Sequence, residues 1–186
     1  MDNGVSAGIG STVVAGRLAL GITLLAFGLG TTGVIHSVAA SDAVSLAHYV
    51  GGVALFLIGL LAFRGGDSAS GTGFVALGAL WFTWAVAGHS GANAAGLFLL
   101  LFALVALTLT LAGGDSLGQL VYGLLFLAML VLGVAAFADS SSLAKVGGWV
   151  AAVSGAVAWY AATAALAHWP TALPRRAAGR GVTAAG

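Results

Sequence analysis

Six apolar stretches, each near the ~20 residues that a bilayer-spanning helix needs, occupy almost the whole of this 186-residue chain. Short polar breaks separate them, and charge is nearly excluded from their interiors. Only 6% of residues are charged and 60% are hydrophobic, whereas soluble domains carry about 25% charged residues. The reading is an all-α integral membrane protein, a six-transmembrane-helix bundle, with no length left for a soluble domain. The expected spans are about 14–35, 44–63, 70–88, 93–111, 117–137 and 143–168. Residues 1–12 are read as a flexible N-terminus, 13–169 as the membrane domain and 170–186 as a flexible basic tail. No positive charge precedes the first apolar run, so that run is expected to stay as a helix and not to leave as a signal peptide.

The five connections are short, so successive helices are expected to run antiparallel and to pack as neighbours. Arg17, Arg64, Arg175, Arg176 and Arg180 fall on one side of such a bundle, and Lys145 on the other. The positive-inside rule then places both termini in the cytoplasm. Arg17 is expected to snorkel from the start of helix one towards that interface.

Glycine recurs at seven-residue spacing, about two helical turns. The pairs are Gly21 and Gly28, Gly52 and Gly59, Gly71 and Gly78, and Gly148 and Gly155. Small residues on one face let helices approach closely in lipid, where no hydrophobic force draws them together. Tight packing is the first meaning of these seams; a glycine-lined axis is compatible with it.

Chemistry-bearing residues are few. Without cysteine the chain has no thiol catalysis, disulfide or thiolate metal site. Asp42, Asp67, Asp115 and Asp139 each stand just before a helix beside serine, which reads as helix capping. No span interior holds a carboxylate, so a proton that accompanies a substrate must ride on the substrate or pass by histidine. His36, His48 and His89 fall near the outer ends of three helices, as a titratable rim or as interfacial histidines. His168 lies at the opposite end. Paired mid-helix histidines for haem, phosphate loops and nucleophile triads are absent from the sequence. No enzyme activity, cofactor, metal or nucleic-acid partner is expected. Among deeper polar residues, Thr31, Thr32, Thr72, Gln119 and Ser154 are candidates for lining a path, although threonine in a helix often bonds its own preceding carbonyl.

The stretch from Tyr49 to Trp81 carries a more specific signal. In order it holds Tyr49, Gly51-Gly52, Gly59, Phe63, Arg64, the Gly66-Asp67-Ser68 turn, Thr72, Phe74, Gly78 and Trp81. A second set runs from Gly148-Trp149 through Ser154-Gly155 to Tyr160 and the Thr171-x-Leu173-Pro174 tail. This pattern resembles the acetate uptake transporters, or succinate-acetate permeases. The resemblance implies a six-helix protein that forms hexamers, each protomer with its own narrow path for small monocarboxylates. It also implies an apolar waist, whose members correspond by position to Phe27, Leu77 and Leu125. The chain departs from the family at the start of helix one. There Gly16-Arg17-Leu18-Ala19-Leu20-Gly21 stands in place of Asn-Pro-Ala-Pro-Leu-Gly, and Leu77 stands in place of the waist tyrosine.

The sequence thus reads as a multi-pass plasma-membrane transporter or channel for a small monocarboxylate such as acetate, or a similar small solute. Its partners are the lipid bilayer, a small-molecule substrate and further copies of itself. The alternative is a non-transporting membrane subunit packed against a partner complex. Thr31, Thr72, Gln119 and Ser154 around one cavity would favour transport, and their scatter the alternative.

Overall fold

The structure, a computed structural model, describes residues 10–36, 38, 41–86 and 91–169. His89, the terminal segment before residue 10 and the tail after residue 169, with its three arginines, lie outside the described residues. Among the described residues six helices form: α1, Ser11–Thr32; α2, built from the consecutive segments Val44–Leu46, Ala47–Ala54 and Leu55–Arg64; α3, Ser68–Val86; α4, Ala92–Leu111; α5, Ser116–Phe137; and α6, Ser141–Leu166. All six contain stretches long and apolar enough to cross a membrane, and no strand occurs among the described residues. Each expected span is matched within a few residues.

Many large side chains outside the core are exposed yet apolar, among them Leu57, Leu61, Leu97, Leu101, Leu104 and Val153. Water would not tolerate such a shell, and a bilayer requires it. Order in space follows order in the chain: apart from α3 and α4, each helix packs on the next, and α6 closes the ring on α1. The pairs α1/α6, α2/α3, α4/α5 and α5/α6 are intimate, whereas α3 and α4 barely approach each other.

Glycine explains three of those intimate pairs. A Cβ on Gly21 would lie 2.9 Å from Trp159 N and 3.0 Å from Gly155 O, and one on Gly28 would lie 2.5 Å from Ala152 N and 2.6 Å from Gly148 O. The reverse holds for Gly148 and Gly155 against α1. The two seven-residue pairs therefore interlock, Gly21 with Gly155 and Gly28 with Gly148. A similar seam joins α2 to α3, where a Cβ on Gly59 would meet Val75 N at 2.7 Å and one on Gly78 would meet Phe56 N at 2.7 Å. A single glycine on each helix, Gly96 and Gly133, joins α4 to α5.

Polar groups follow the same economy. Thr23, Thr31 and Thr72 donate to the carbonyls of Ala19, Phe27 and Ser68 at 2.7–2.8 Å, and Thr32 donates to Leu29 O at 2.7 Å. Ser154, fully buried, donates instead across helices to Val121 O at 2.9 Å. Ser154→Ala is expected to cost about 1 kcal/mol, because the carbonyl it loses keeps its own helical bond; thermal unfolding in detergent checks it. Asp67 and Asp115 cap their helices, accepting from Ser70 N and Gly118 N at 3.0 Å, as expected. Asp139 does not. It has a left-handed φ of 47°, and Ser140 caps α6 by accepting from Leu143 N at 3.4 Å. Asp42 lies in the turn before α2.

One local feature went unforeseen. Over Ala47–Ala54 α2 is π-helical, a wider turn than the α-helix and one that recurs at functional sites. It brings Gly51 so close to α1 and α3 that a Cβ there would lie 2.6 Å from Thr23 Cγ2 and 2.9 Å from Trp81 Cγ. His48, in the same turn, stacks on Tyr49 and meets the Phe82 ring edge-on, with centroids 4.9 and 4.8 Å apart. His36 is exposed near the end of α1.

Candidate transport path

The helix ring encloses two hollows and a constriction, arranged in sequence along the bundle. The first hollow, of about 460 Å³, lies at the start of α1, α3 and α5 and the end of α4; Arg17, Ser70, Thr72, Thr108, Asp115 and Tyr122 line it. The second, of about 380 Å³, lies at the opposite ends of these helices and the start of α6; Thr31, Trp84, Ala95, Leu132, Ser140 and Ala144 line it. Between them is a constriction with only about 10 Å³ of free space. Phe27 of α1, Trp81 and Trp84 of α3, Leu99 of α4, and Leu125 and Leu132 of α5 are among its walls. That space is about what one water molecule occupies, so no continuous water column passes. From Thr72 to Trp84 the system spans twelve residues of α3, roughly 18 Å.

Aromatic geometry holds the constriction in shape. The Phe27 ring meets Trp81 edge-on with centroids 5.3 Å apart, and Trp84 at 5.9 Å and 89°. The three rings come from two helices and brace one another. Trp81 is 2% exposed, and its indole Nε1–H has no hydrogen-bond partner. The constriction is thus apolar apart from its indoles, one of which holds an unused donor.

The expected site residues divide between these features. Phe27 and Leu125 wall the constriction. Leu77 is fully buried in the core, and on α3 it lies between Phe74 of the first hollow and Leu80 and Trp81 of the constriction. Thr31 lines the second hollow and Thr72 the first. Thr32 is buried at the end of α1. Gln119 is partly buried in the first turn of α5, its Nε2 4.0 Å from where a Cβ on Gly113 would stand. Ser154 is committed to the α5/α6 contact. Thr31, Thr72, Gln119 and Ser154 therefore do not surround one cavity. Thr31 and Thr72 line different hollows, Ser154 makes an interhelical bond and Gln119 does neither. This scatter is the arrangement expected of the non-transporting alternative, so the case for transport rests on the hollows themselves and not on these four residues.

Arg17 does not snorkel. It turns into the first hollow, where its side chain is only 12% exposed, and its Nη2 pairs with the Asp115 carboxylate. Gly118 makes room for it, since a Cβ there would lie 3.2 Å from Nη2. Gly113 and Gly114, both at positive φ, form the tight turn that returns the chain to Asp115. The sequence did carry a signal, because a charge inside a span is a functional candidate by default. Position near the helix end hid it.

A profile of the GPR1/FUN34/yaaH family matches residues 4–172. The chain belongs to this family. Among solved structures it is similar to that of the bacterial acetate channel SatP, with a TM-score of 0.79 and 20% sequence identity over 86% of this chain and 93% of that one. Among curated protein sequences none matches significantly. The resemblance read from the Tyr49–Trp81 stretch is thereby borne out, and the six-helix fold with it.

A further hollow, of about 340 Å³, lies on the outside of α2 and α3, lined by Gly52, Val53, Phe56, Gly78 and Phe82 among others. It touches no wall of the path.

Proposed function

We propose that this family member is a transporter or channel that carries a small monocarboxylate, such as acetate, across the plasma membrane. The path runs from the Arg17 hollow past Leu77 and through the ring of Phe27, Trp81 and Leu125 to the Thr31 hollow. The observation that carries the reading is the pair of hollows set end to end across one constriction. Family membership and the fold shared with an acetate channel support the same reading. The protein works as a homo-oligomer, a hexamer by the family resemblance, with both termini in the cytoplasm by its distribution of arginine.

An apolar waist strips water from whatever crosses it. An ionised carboxylate pays heavily for that loss, whereas the neutral acid pays far less. Asp67 and Asp115 are helix caps and stand away from the waist, so the proton travels on the substrate. The unused Trp81 Nε1–H stands where a carboxyl oxygen loses its last water, and replaces one of the bonds it gives up.

Uptake of labelled acetate into proteoliposomes at two external pH values tests this. Uptake above empty liposomes is expected, rising as pH falls and the neutral acid becomes commoner. Trp81→Phe keeps the ring contacts and removes the donor; a loss of about ten-fold is expected for one hydrogen bond worth about 1.5 kcal/mol. Failure to take up acetate or any other small monocarboxylate above the empty-liposome level would point instead to a non-transporting membrane subunit.

A further inference from the structure

We infer that the first hollow is a carboxylate-binding site in which Arg17 receives the substrate and Asp115 competes with it for the same guanidinium. The inference rests on the proposed monocarboxylate path and assigns its first stop.

Arg17 divides its donors unevenly. Nη2 is paired with the Asp115 carboxylate, while Nη1 is buried and has no hydrogen-bond partner. A guanidinium has donors only, in a fixed fork suited to carboxylate oxygens. Asp115 cannot satisfy the whole fork, because its other oxygen accepts from Gly118 N at 3.0 Å as the cap of α5. Nη1 is covered in this arrangement, so a second carboxylate supplies what is missing once the guanidinium turns that nitrogen towards the hollow that Arg17 lines. The hollow is large enough for one, at about 460 Å³.

Of the hydroxyls that line the hollow, those of Ser70 and Tyr122 add neutral donors, and those of the two threonines do not. Thr72 and Thr108 already donate to Ser68 O and Leu104 O, at 2.8 and 2.9 Å. They present lone pairs to the hollow, and lone pairs repel a carboxylate. Arg17 supplies the one positive charge in this lining, and with it the main attraction for an anion.

Asp115 sets how strong that attraction is. With Arg17 it forms a neutral pair, so an incoming anion is drawn by half of a guanidinium already partly satisfied. A site on a conduction path must bind well enough to load and weakly enough to release, and the released carboxylate takes up a proton from water at the mouth of the hollow before it enters the waist as the neutral acid. A built-in competitor meets both needs, and an unpaired arginine would hold the anion too long.

Opposite responses to two substitutions test the inference. The half-saturation concentration for acetate uptake into proteoliposomes is measured for wild type, Arg17→Gln and Asp115→Asn, with uptake of acetamide, the neutral isostere, as control. Asp115→Asn keeps a side chain able to cap α5, so its helix start is retained. Arg17→Gln is expected to raise the half-saturation concentration for acetate about ten-fold or more. Asp115→Asn is expected to lower it several-fold and to lower the maximal rate, as release slows. Acetamide is expected to respond to neither. Similar losses in both variants, or equal losses for acetate and acetamide, mean that the pair only holds α1 to α5, and overturn the inference while the transport reading stands. Unchanged acetate half-saturation in Arg17→Gln overturns it as well. Absence of wild-type uptake overturns the transport reading itself, and this inference with it.

Discussion

Gly28→Val is expected to abolish the folded bundle, seen as loss of the monodisperse peak in detergent, whereas Gly123→Ala is expected to stabilise it. The two differ in what a new side chain meets. At Gly28 even a Cβ would lie 2.5 Å from Ala152 N and 2.6 Å from Gly148 O. Both are backbone atoms of α6, so relief requires the helices to part. Overpacking a flexible core costs about 1–3 kcal/mol, and here the remedy also opens the neighbouring Gly21–Gly155 contact. At Gly123 the nearest atom to a Cβ is Thr110 Cγ2, at 3.6 Å, which is ordinary contact. Alanine gains about 1 kcal/mol over glycine in a helix interior, worth about 2–4 °C in Tm for a chain of this size. A stabilised Gly28→Val would mean that the interlock does not hold α1 against α6, and a destabilised Gly123→Ala would mean that the space between Gly123 and Thr110 does not admit a methyl group.

That contrast explains why so much of the fold was legible. A spanning helix must satisfy its own backbone in lipid, so length and apolarity alone place it. The seven-residue glycine pairs then mark the faces that meet, and they did so for α1 with α6 and for α2 with α3. The Gly96–Gly133 contact has one glycine per helix and so left no period to read. Nor did the π-helical turn of α2, because a run rich in glycine and valine fits either helix form.

The site was less legible, for a physical reason. Whether Phe27, Leu77 or Leu125 faces a path depends on rotation about each helix axis, and a helix apolar on every face carries no pattern that fixes rotation. Phe27 and Leu125 meet at the constriction; Leu77, on α3, falls below it. Arg17 was misread because a long basic side chain near a helix end has two low-energy choices, the headgroups or an internal carboxylate. Only the tertiary position of Asp115, 98 residues away, decides between them.

Leu125→Trp and Leu125→Ala are expected to move acetate uptake in opposite directions. Leu125 is 1% exposed at a constriction with about 10 Å³ of free space. An indole in place of the isobutyl group fills what remains, and uptake is expected to fall to the empty-liposome level. Truncation to alanine opens a passage in the same wall. Removal of a buried leucine side chain costs about 2–5 kcal/mol, so this variant is the less stable of the pair. A protein limited by its constriction nevertheless transports faster when that constriction widens, and admits longer monocarboxylates. Damage to folding cannot mimic this pattern, because it lowers uptake in both variants. A fall in Leu125→Ala with the fold intact would place the rate-limiting barrier elsewhere on the path, with Leu77 the next position to widen.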